Sequence, residues 1–270
     1  MSFRSFQGTA FFEFGTIKAI PGIRHGISTR TGGHSQGHLS GLNLSYSVED
    51  TIEAVTANRL ILATFLEVDP KKLYFPHQTH SDQIVEVTTQ TTSNDLHGVD
   101  ALITQTPEIA IGVMSADCVP VLIADPVKRV IAAIHAGWKG TVLGIVKKTV
   151  LKMQDELGCN PHDMMAGIGP SICAANYEVG LDVIQAICSS FPIADKLLLP
   201  GKTNDKAYFD LWKANQHWLT TAGVPNDQIE IAGICTYENP DKFYSARYFH
   251  HKTGRFAACI SICNKSDIGT

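Results

Sequence analysis

The chain has 270 residues, of which 44% are hydrophobic and 18% charged, and its formal net charge is -4. This length and composition fit one enzyme-sized domain with a large buried core, so we expect a single domain over residues 1–270. The sparse, slightly acidic charge excludes the basic surface that nucleic acids or anionic membranes require, and it favours small-molecule partners.

The cysteine usage and the hydropathy pattern bear on the compartment. The seven cysteines show no disulfide-framework spacing and are typical of reduced thiols. No apolar stretch approaches the roughly 20 residues of a membrane-spanning helix, and the first residues lack the pattern of a secretory signal. We therefore expect a soluble, cytoplasmic protein without disulfides, and we expect a monomer.

The first strongly predicted element is a helix after Asp50. The segment Asp50-Thr51-Ile52-Glu53 has capping-box spacing, and the following residues are apolar at helical intervals until Asp69-Pro70 ends the pattern. Short β-rich runs then predict strands at 73–75, 83–88 and 99–104.

The central runs 110–125 and 130–135 are almost continuously apolar, which is typical of strands covered on both faces. An apolar stripe predicts a helix over 141–157, ended by Gly158. Further helices are predicted at 179–190 and 209–222, and further strands at 164–168, 229–234 and 256–262. Because these elements follow no regular β-α-β order, the sequence predicts an α+β fold with a mixed sheet flanked by helices.

His80, Cys118 and His135 lie in the separate segments PHQTHSD, MSADCVPVLIAD and AAIHAGWKG. Three such ligands plus water are the set of a catalytic zinc site, whereas a closed structural site usually uses C-x-x-C pairs, which this chain lacks. Adjacent strands would bring Cys118 and His135 to about 5 Å of each other, while His80 must come from a loop.

Each of these residues also has a plain structural interpretation. A single cysteine in an apolar run is commonly an inert core residue, although the neighbouring Asp117 is poor core material. His135 could be a hydrogen-bonded core imidazole, and His80 an ordinary loop residue.

Blocks along the chain carry a resemblance to a known family. These blocks lie between about Ser28 and Ile262 and are STRTGGHS, GLNLS, HQTHSDQIV, VDALIT, SADCVPVLIAD, AAIHAGWKGT, GIGPSIC and FYSAR with TGR. Together they are similar to the laccase-domain, or polyphenol oxidase, family of YfiH-like proteins. The resemblance implies α-β-β-α layering and one zinc ion whose ligands are His80, Cys118 and His135.

The resemblance also implies a chemistry. Family members are described as zinc-dependent enzymes that cleave adenosine, inosine, guanosine or methylthioadenosine with phosphate and that deaminate adenosine. Zinc with an open position lowers the pKa of bound water to about 7, which suits attack on C6 of adenine.

Substrate-binding residues follow from the same blocks. A phosphate ion near C1′ of the ribose needs arginine or lysine side chains as hydrogen-bond donors. Each such residue could instead be an ordinary charged residue of the protein surface. Asn43 could bind the substrate or only form a turn, and Asp117 could orient His135 or act as an acid-base group. The cationic candidates are Arg30, Arg59, Lys139, Arg247 and Arg255.

Three alternatives stay open. The older family label is copper-dependent polyphenol oxidation; a cupredoxin laccase is excluded because His-x-His and His-Cys-His are absent, but the single site could still bind copper. A metal-free hydrolase could use Cys118 as nucleophile and His135 as base, by analogy with the catalytic domain of cytotoxic necrotizing factor, and it would not need His80. The third alternative is a binding module with a vestigial metal site.

Overall fold

The computed structural model describes residues 2–264. The helices are α1 (Gly15–Lys18), α2 (Ile52–Leu66), α3 (Trp138–Val142), α4 (Ile145–Leu157), α5 (Leu181–Ser190), α6 (Ala194–Leu197) and α7 (Leu211–Thr221). The strands are β1 (Ser2–Phe6), β2 (Thr9–Glu13), β3 (Ile23–Ser28), β4 (Leu73–Tyr74), β5 (Ile84–Glu86), β6 (Ala101–Thr104), β7 (Ala110–Ser115), β8 (Val119–Asp125), β9 (Val130–Ala136), β10 (Met165–Ile168), β11 (Glu178–Val179), β12 (Leu198–Pro200), β13 (Ala207–Phe209), β14 (Ile229–Ile231) and β15 (Phe256–Ile262).

Two six-stranded sheets form the centre of the described chain. The first has the order β1-β2-β3-β15-β7-β4 and the second β14-β10-β8-β9-β6-β5, while β11, β13 and β12 form a small third sheet. Most neighbours are antiparallel, but β4 with β7, β5 with β6 and β10 with β14 are parallel. The predicted mixed sheet is thus confirmed, although it is divided into two.

The two large sheets pack face to face, with helices on both outer faces. Fully buried Leu102, Leu122, Val113 and Ile260 belong to the apolar cluster between the sheets. Helix α2 covers the first sheet through residues such as Leu62, and α4 and α7 cover the second. This is the α-β-β-α layering that the resemblance implied.

The helix predicted after Asp50 is confirmed, but it begins one residue later than the capping-box spacing indicated. Thr51 is the N-cap residue, and its hydroxyl accepts a hydrogen bond from the amide of Ala54. The helix predicted over 141–157 is two helices, because Gly144 adopts a left-handed conformation with φ of 75° between α3 and α4.

Strands β8 and β9 position the site. Both are fully buried, and Val119 pairs with Ala136 in their antiparallel register. This pairing places Cys118, just before β8, beside the end of β9 that carries His135. Residues 116–118 form a bend that divides the predicted run 110–125 into β7 and β8. Among the described helices, none is long and apolar enough to cross a membrane.

Candidate metal centre and substrate pocket

His80, Cys118 and His135 converge from three segments. One potential ligand atom of each lies within 4.8 Å of the others. The Sγ of Cys118 is 3.7 Å from Nε2 of His80, and the two imidazole rings meet edge to face with centroids 4.9 Å apart. The predicted residues are therefore together, and this group could bind a metal ion.

The observed spacing fits a tetrahedral metal site. With zinc bonds of about 2.3 Å to sulfur and 2.0–2.1 Å to nitrogen, ligand atoms at the tetrahedral angle stand about 3.6 Å apart. A Cβ atom added at Gly137 would lie 2.7 Å from Cδ2 of His80 and 3.0 Å from Sγ of Cys118. Glycine at this position therefore leaves room for the two ligands to approach each other.

Asp100 organises both histidines, and sequence reasoning missed it. Its carboxylate accepts a hydrogen bond from Nδ1 of His135 at 2.7 Å and from the backbone amides of Thr79, His80 and Ser81. Residue 80 has a positive φ of 61°, a conformation that these hydrogen bonds help to hold. With Nδ1 engaged, Nε2 of His135 remains for a metal ion.

The electrostatics of the centre favour an ionised pair. Burial opposes ionisation of Cys118, but the charge of His135 and hydrogen bonds from both histidines outweigh it and lower the thiol pKa to about 6. Burial also opposes protonation of His135, but the charge of Cys118 and the hydrogen bond to Asp100 raise its pKa to about 9. The thiolate that a metal requires is thus already stabilised.

The three side chains lie on the wall of a cavity of about 740 Å³. This volume is within the range of about 300–1,000 Å³ that small-molecule sites occupy. Aromatic and imidazole side chains that were not predicted as site residues supply much of the lining. They are Tyr46, Phe75, His77, His97, Trp138, Tyr177 and His251.

Three of the predicted cationic residues, Arg59, Arg247 and Arg255, line this cavity. The guanidinium of Arg59 stacks over Tyr46 at 4.2 Å and Phe75 at 4.8 Å, measured to the ring centroids. Arg247 lies over Tyr177 at 5.4 Å, and Nη1 of Arg255 donates to the carbonyls of residues 253 and 254. These contacts orient cationic groups inside the pocket.

The other predicted binding residues lie elsewhere. Arg30 donates to the carbonyls of Pro240 and Ser40, and Lys139 is exposed on α3; neither lines the cavity. Asn43 is fully buried. Its side-chain amide donates a hydrogen bond to the carboxylate of Asp50, and its side-chain oxygen accepts one from the backbone amide of Arg255. The structure thus gives Asn43 a role in supporting the loops, as a turn-forming residue would have.

Asp117 lines the cavity but does not orient His135. One carboxylate oxygen accepts from the hydroxyl of Thr236 at 2.7 Å, and the other accepts from the backbone amide of Arg247 at 2.8 Å. The carboxylate that is hydrogen-bonded to His135 belongs to Asp100, whereas the sequence analysis suggested Asp117 for this role. Asp117 therefore joins the bend of Cys118 to the segment that carries Arg247.

Comparison with known proteins places these features in a family. A protein of Bacteroides thetaiotaomicron named purine nucleoside phosphorylase is 38% identical over 254 residues, covering 92% of this chain and 94% of that protein. Adenosine deaminase RL5, from an unknown prokaryotic organism, is 34% identical over 245 residues, covering 88% of this chain and 93% of that protein.

Solved structures agree with the fold. YlmD from Geobacillus stearothermophilus superposes with a TM-score of 0.90 at 29% identity, covering 97% of this chain and 98% of that one. A YfiH protein of Bacillus licheniformis gives a TM-score of 0.89 at 33% identity, covering 96% and 98%. The family model described as multi-copper polyphenol oxidoreductase laccase matches residues 24–263, and the chain belongs to that family.

Proposed function

We propose that this chain is a zinc-dependent enzyme of purine nucleosides, which cleaves them with phosphate and deaminates adenosine. The observation that carries the proposal is the position of His80, Cys118 and His135 on the wall of a nucleoside-sized cavity that also contains arginines. The names of the relatives, purine nucleoside phosphorylase and adenosine deaminase, support it. We infer zinc because two imidazoles and one thiolate are a ligand set that zinc enzymes use.

The protein's own residues account for binding. The aromatic side chains of Tyr46, Phe75 and Tyr177, over which Arg59 and Arg247 lie, give the cavity wall apolar surface for a purine base. Arg247 and Arg255 offer donors for a phosphate ion that attacks C1′ of the ribose as the bond from C1′ to the base nitrogen breaks. Asp117 fixes the backbone of Arg247 and so positions that arginine beside the bend of Cys118.

The metal ligands are held ready by their surroundings. Asp100 fixes the ring of His135 and the backbone of residue 80, so that both imidazoles stay aimed at one point near the Cys118 sulfur. When bound there, zinc supplies a Lewis acid and an activated water, which is the chemistry that deamination at C6 needs.

A product assay tests the proposal. Zinc-loaded protein incubated with adenosine should yield adenine and ribose 1-phosphate only when phosphate is present, and inosine and ammonia without it, as separated by chromatography. Cys118→Ser, which removes the thiolate ligand, should lose both activities. If the zinc-loaded protein forms no purine product while copper-loaded protein oxidises phenols, the proposal is wrong.

The arginines allow phosphorolysis to be tested separately from deamination. We expect Arg255→Met and Arg247→Met to raise the KM for phosphate at least about tenfold, since charged hydrogen bonds contribute roughly 1.5–3 kcal/mol. Deamination, which uses no phosphate, should change much less. Lys139→Met is the matched control because it removes a cation outside the cavity; an equal phosphate KM in all variants would contradict the assignment.

One observation favours a second candidate. The lowered thiol pKa of Cys118 and the raised imidazole pKa of His135 also suit a nucleophile and its base in a metal-free hydrolase. His80 separates the two functions, because a Cys-His dyad does not require it. If His80→Ala turns over nucleosides as fast as wild type does, the metal-free hydrolase is favoured. If this turnover is lost, the metal enzyme is favoured.

A further inference from the structure

A second group of potential metal ligands lies outside the site described above. Cys173 and Cys235 approach each other from the segments that follow β10 and β14, and Glu238 joins them. One donor atom of each residue lies within 4.8 Å of the others. The mechanism proposed above uses none of these residues.

The distances within this cluster fit a tetrahedral metal ion. Sγ of Cys173 is 3.7 Å from Oε1 of Glu238. Zinc bonds of about 2.3 Å to sulfur and 2.0–2.2 Å to oxygen place these two ligands about 3.5–3.7 Å apart at the tetrahedral angle. Cys235 is buried, whereas Cys173 is half-buried and Glu238 exposed, so an ion can enter from solvent.

Hydrogen-bond donors converge on the same sulfurs. Nδ2 of Asn176 lies 3.2 Å from Sγ of Cys173, 3.6 Å from Sγ of Cys235 and 2.7 Å from Oε1 of Glu238. The backbone amide of Cys173 also donates to Sγ of Cys235 at 3.3 Å. The Asn176 side chain can offer its oxygen as a fourth ligand when its amide rotates end for end, and the backbone N–H of Cys173 then remains as a donor to the Cys235 sulfur.

Both thiols of this cluster can serve as ligands, because a metal ion deprotonates the thiols that bind it.

We propose that Cys173, Cys235 and Glu238 bind a soft divalent cation such as Zn²⁺ in a structural site distinct from the His80, Cys118 and His135 centre. The ion would tie two loops that support the pocket. On one loop, the amide of Ile172 donates to the carbonyl of Asp117 at 3.0 Å. On the other, the hydroxyl of Thr236 donates to the Asp117 carboxylate.

Metal counting on the full-length protein tests the proposal. Reduced protein is incubated with Zn²⁺, freed of unbound ion and analysed by mass spectrometry of the metal. We expect about two zinc ions per chain for wild type, about one for Cys118→Ser or Cys173→Ser, and none for the double variant. Cys188→Ser is the control, because this exposed thiol belongs to neither cluster, and it should keep about two.

Any of three results would overturn the proposal: Cys118→Ser protein without metal, Cys173→Ser protein with undiminished metal, or a Cys173–Cys235 disulfide whose reduced form takes up no zinc. Circular dichroism of each variant checks that it is folded. A second readout needs no substitution: zinc should slow alkylation of Cys173 in wild type at least about tenfold, since metal-bound thiolates are withheld from the reagent. Equal alkylation with and without zinc would contradict the site.

Discussion

Asp100 connects the two histidines of the candidate metal centre. It is fully buried and accepts hydrogen bonds from the imidazole of His135 and from three successive backbone amides. Burial alone would raise the pKa of this carboxyl group, but the hydrogen bond and charge of His135 outweigh it and lower the pKa to about 2. Asp100 therefore stays ionised and holds the imidazole and the loop of His80 in one arrangement.

Replacing Asp100 should weaken the metal site without removing a ligand. In Asp100→Asn the amide cannot accept all of these hydrogen bonds as a carboxylate does, so we expect zinc affinity to fall roughly 10–100-fold. Competition with a zinc chelator measures the change. Asp155→Asn, on the exposed face of α4, is the matched control, and equal zinc affinity in the two variants would contradict the role of Asp100.

The residues of the candidate metal centre could be selected from the sequence, because few residue types bind zinc and these three lie in distinctive segments. Asp100 could not be predicted, because its role depends on a hydrogen bond with His135, which is distant in sequence. Its one signal is an acidic residue directly before the buried strand β6. The arginines were predicted as a set, but only the fold separates Arg255, which lines the cavity, from Arg30, which does not.

At the level of elements, burial of His25 in β3 makes the fold sensitive to acid. Nε2 of His25 accepts the backbone amide of Phe14 at 2.7 Å, so this nitrogen is unprotonated. Burial is the largest effect on its pKa and lowers it from 6.5 to about 4. The folded chain therefore resists protonation at a pH where an unfolded chain accepts the proton.

The stability contributed by neutral His25 should be present above pH 6.5 and lost as the pH falls from 6.5 to about 4. The loss amounts to about 3 kcal/mol, at 1.36 kcal/mol per pKa unit. Urea unfolding across this range should show a shallower pH dependence for His25→Gln, whose side-chain oxygen can accept the same amide. His38→Gln, at an exposed position, should behave as wild type, and identical slopes in all three proteins would contradict the account.

Elements with a strong local signal were predicted well. The pattern for α2 has a capping residue and a proline beyond its end, and β15 was predicted at 256–262, the bounds that the structure has. The break at Gly144 was missed because the apolar stripe continues through it. Strands β1 to β3 were not predicted; β1 and β2 form a local hairpin that the sequence analysis missed, whereas the pairing of β3 with β15 joins residues that are distant in sequence.

At the scale of the whole molecule, two sheets share one apolar interior, and the candidate metal centre lies where β8 begins and β9 ends. We propose that the chain is a single domain, because the layer between the sheets joins the first strands to the last one. The sequence indicated a mixed sheet, but the division into two sheets depends on which strands pair, which local patterns do not encode.

Leu122→Ala tests this shared core. Leu122 is fully buried between the sheets, so its truncation should lower the free energy of unfolding by about 2–5 kcal/mol. Denaturant unfolding followed by circular dichroism and by tryptophan fluorescence should give coincident transitions. Leu199→Ala, at a half-exposed leucine, should lower the free energy of unfolding by about 0.5 kcal/mol or less. Two separate transitions would contradict a single domain.

The most direct test of the central claim pairs metal content with nucleoside turnover in wild type and His80→Ala. Both proteins are purified without added metal and assayed with adenosine in the presence and absence of phosphate. We predict that His80→Ala contains about one zinc ion fewer per chain than wild type and forms neither adenine nor inosine. Equal zinc content and equal turnover in the two proteins would contradict the account.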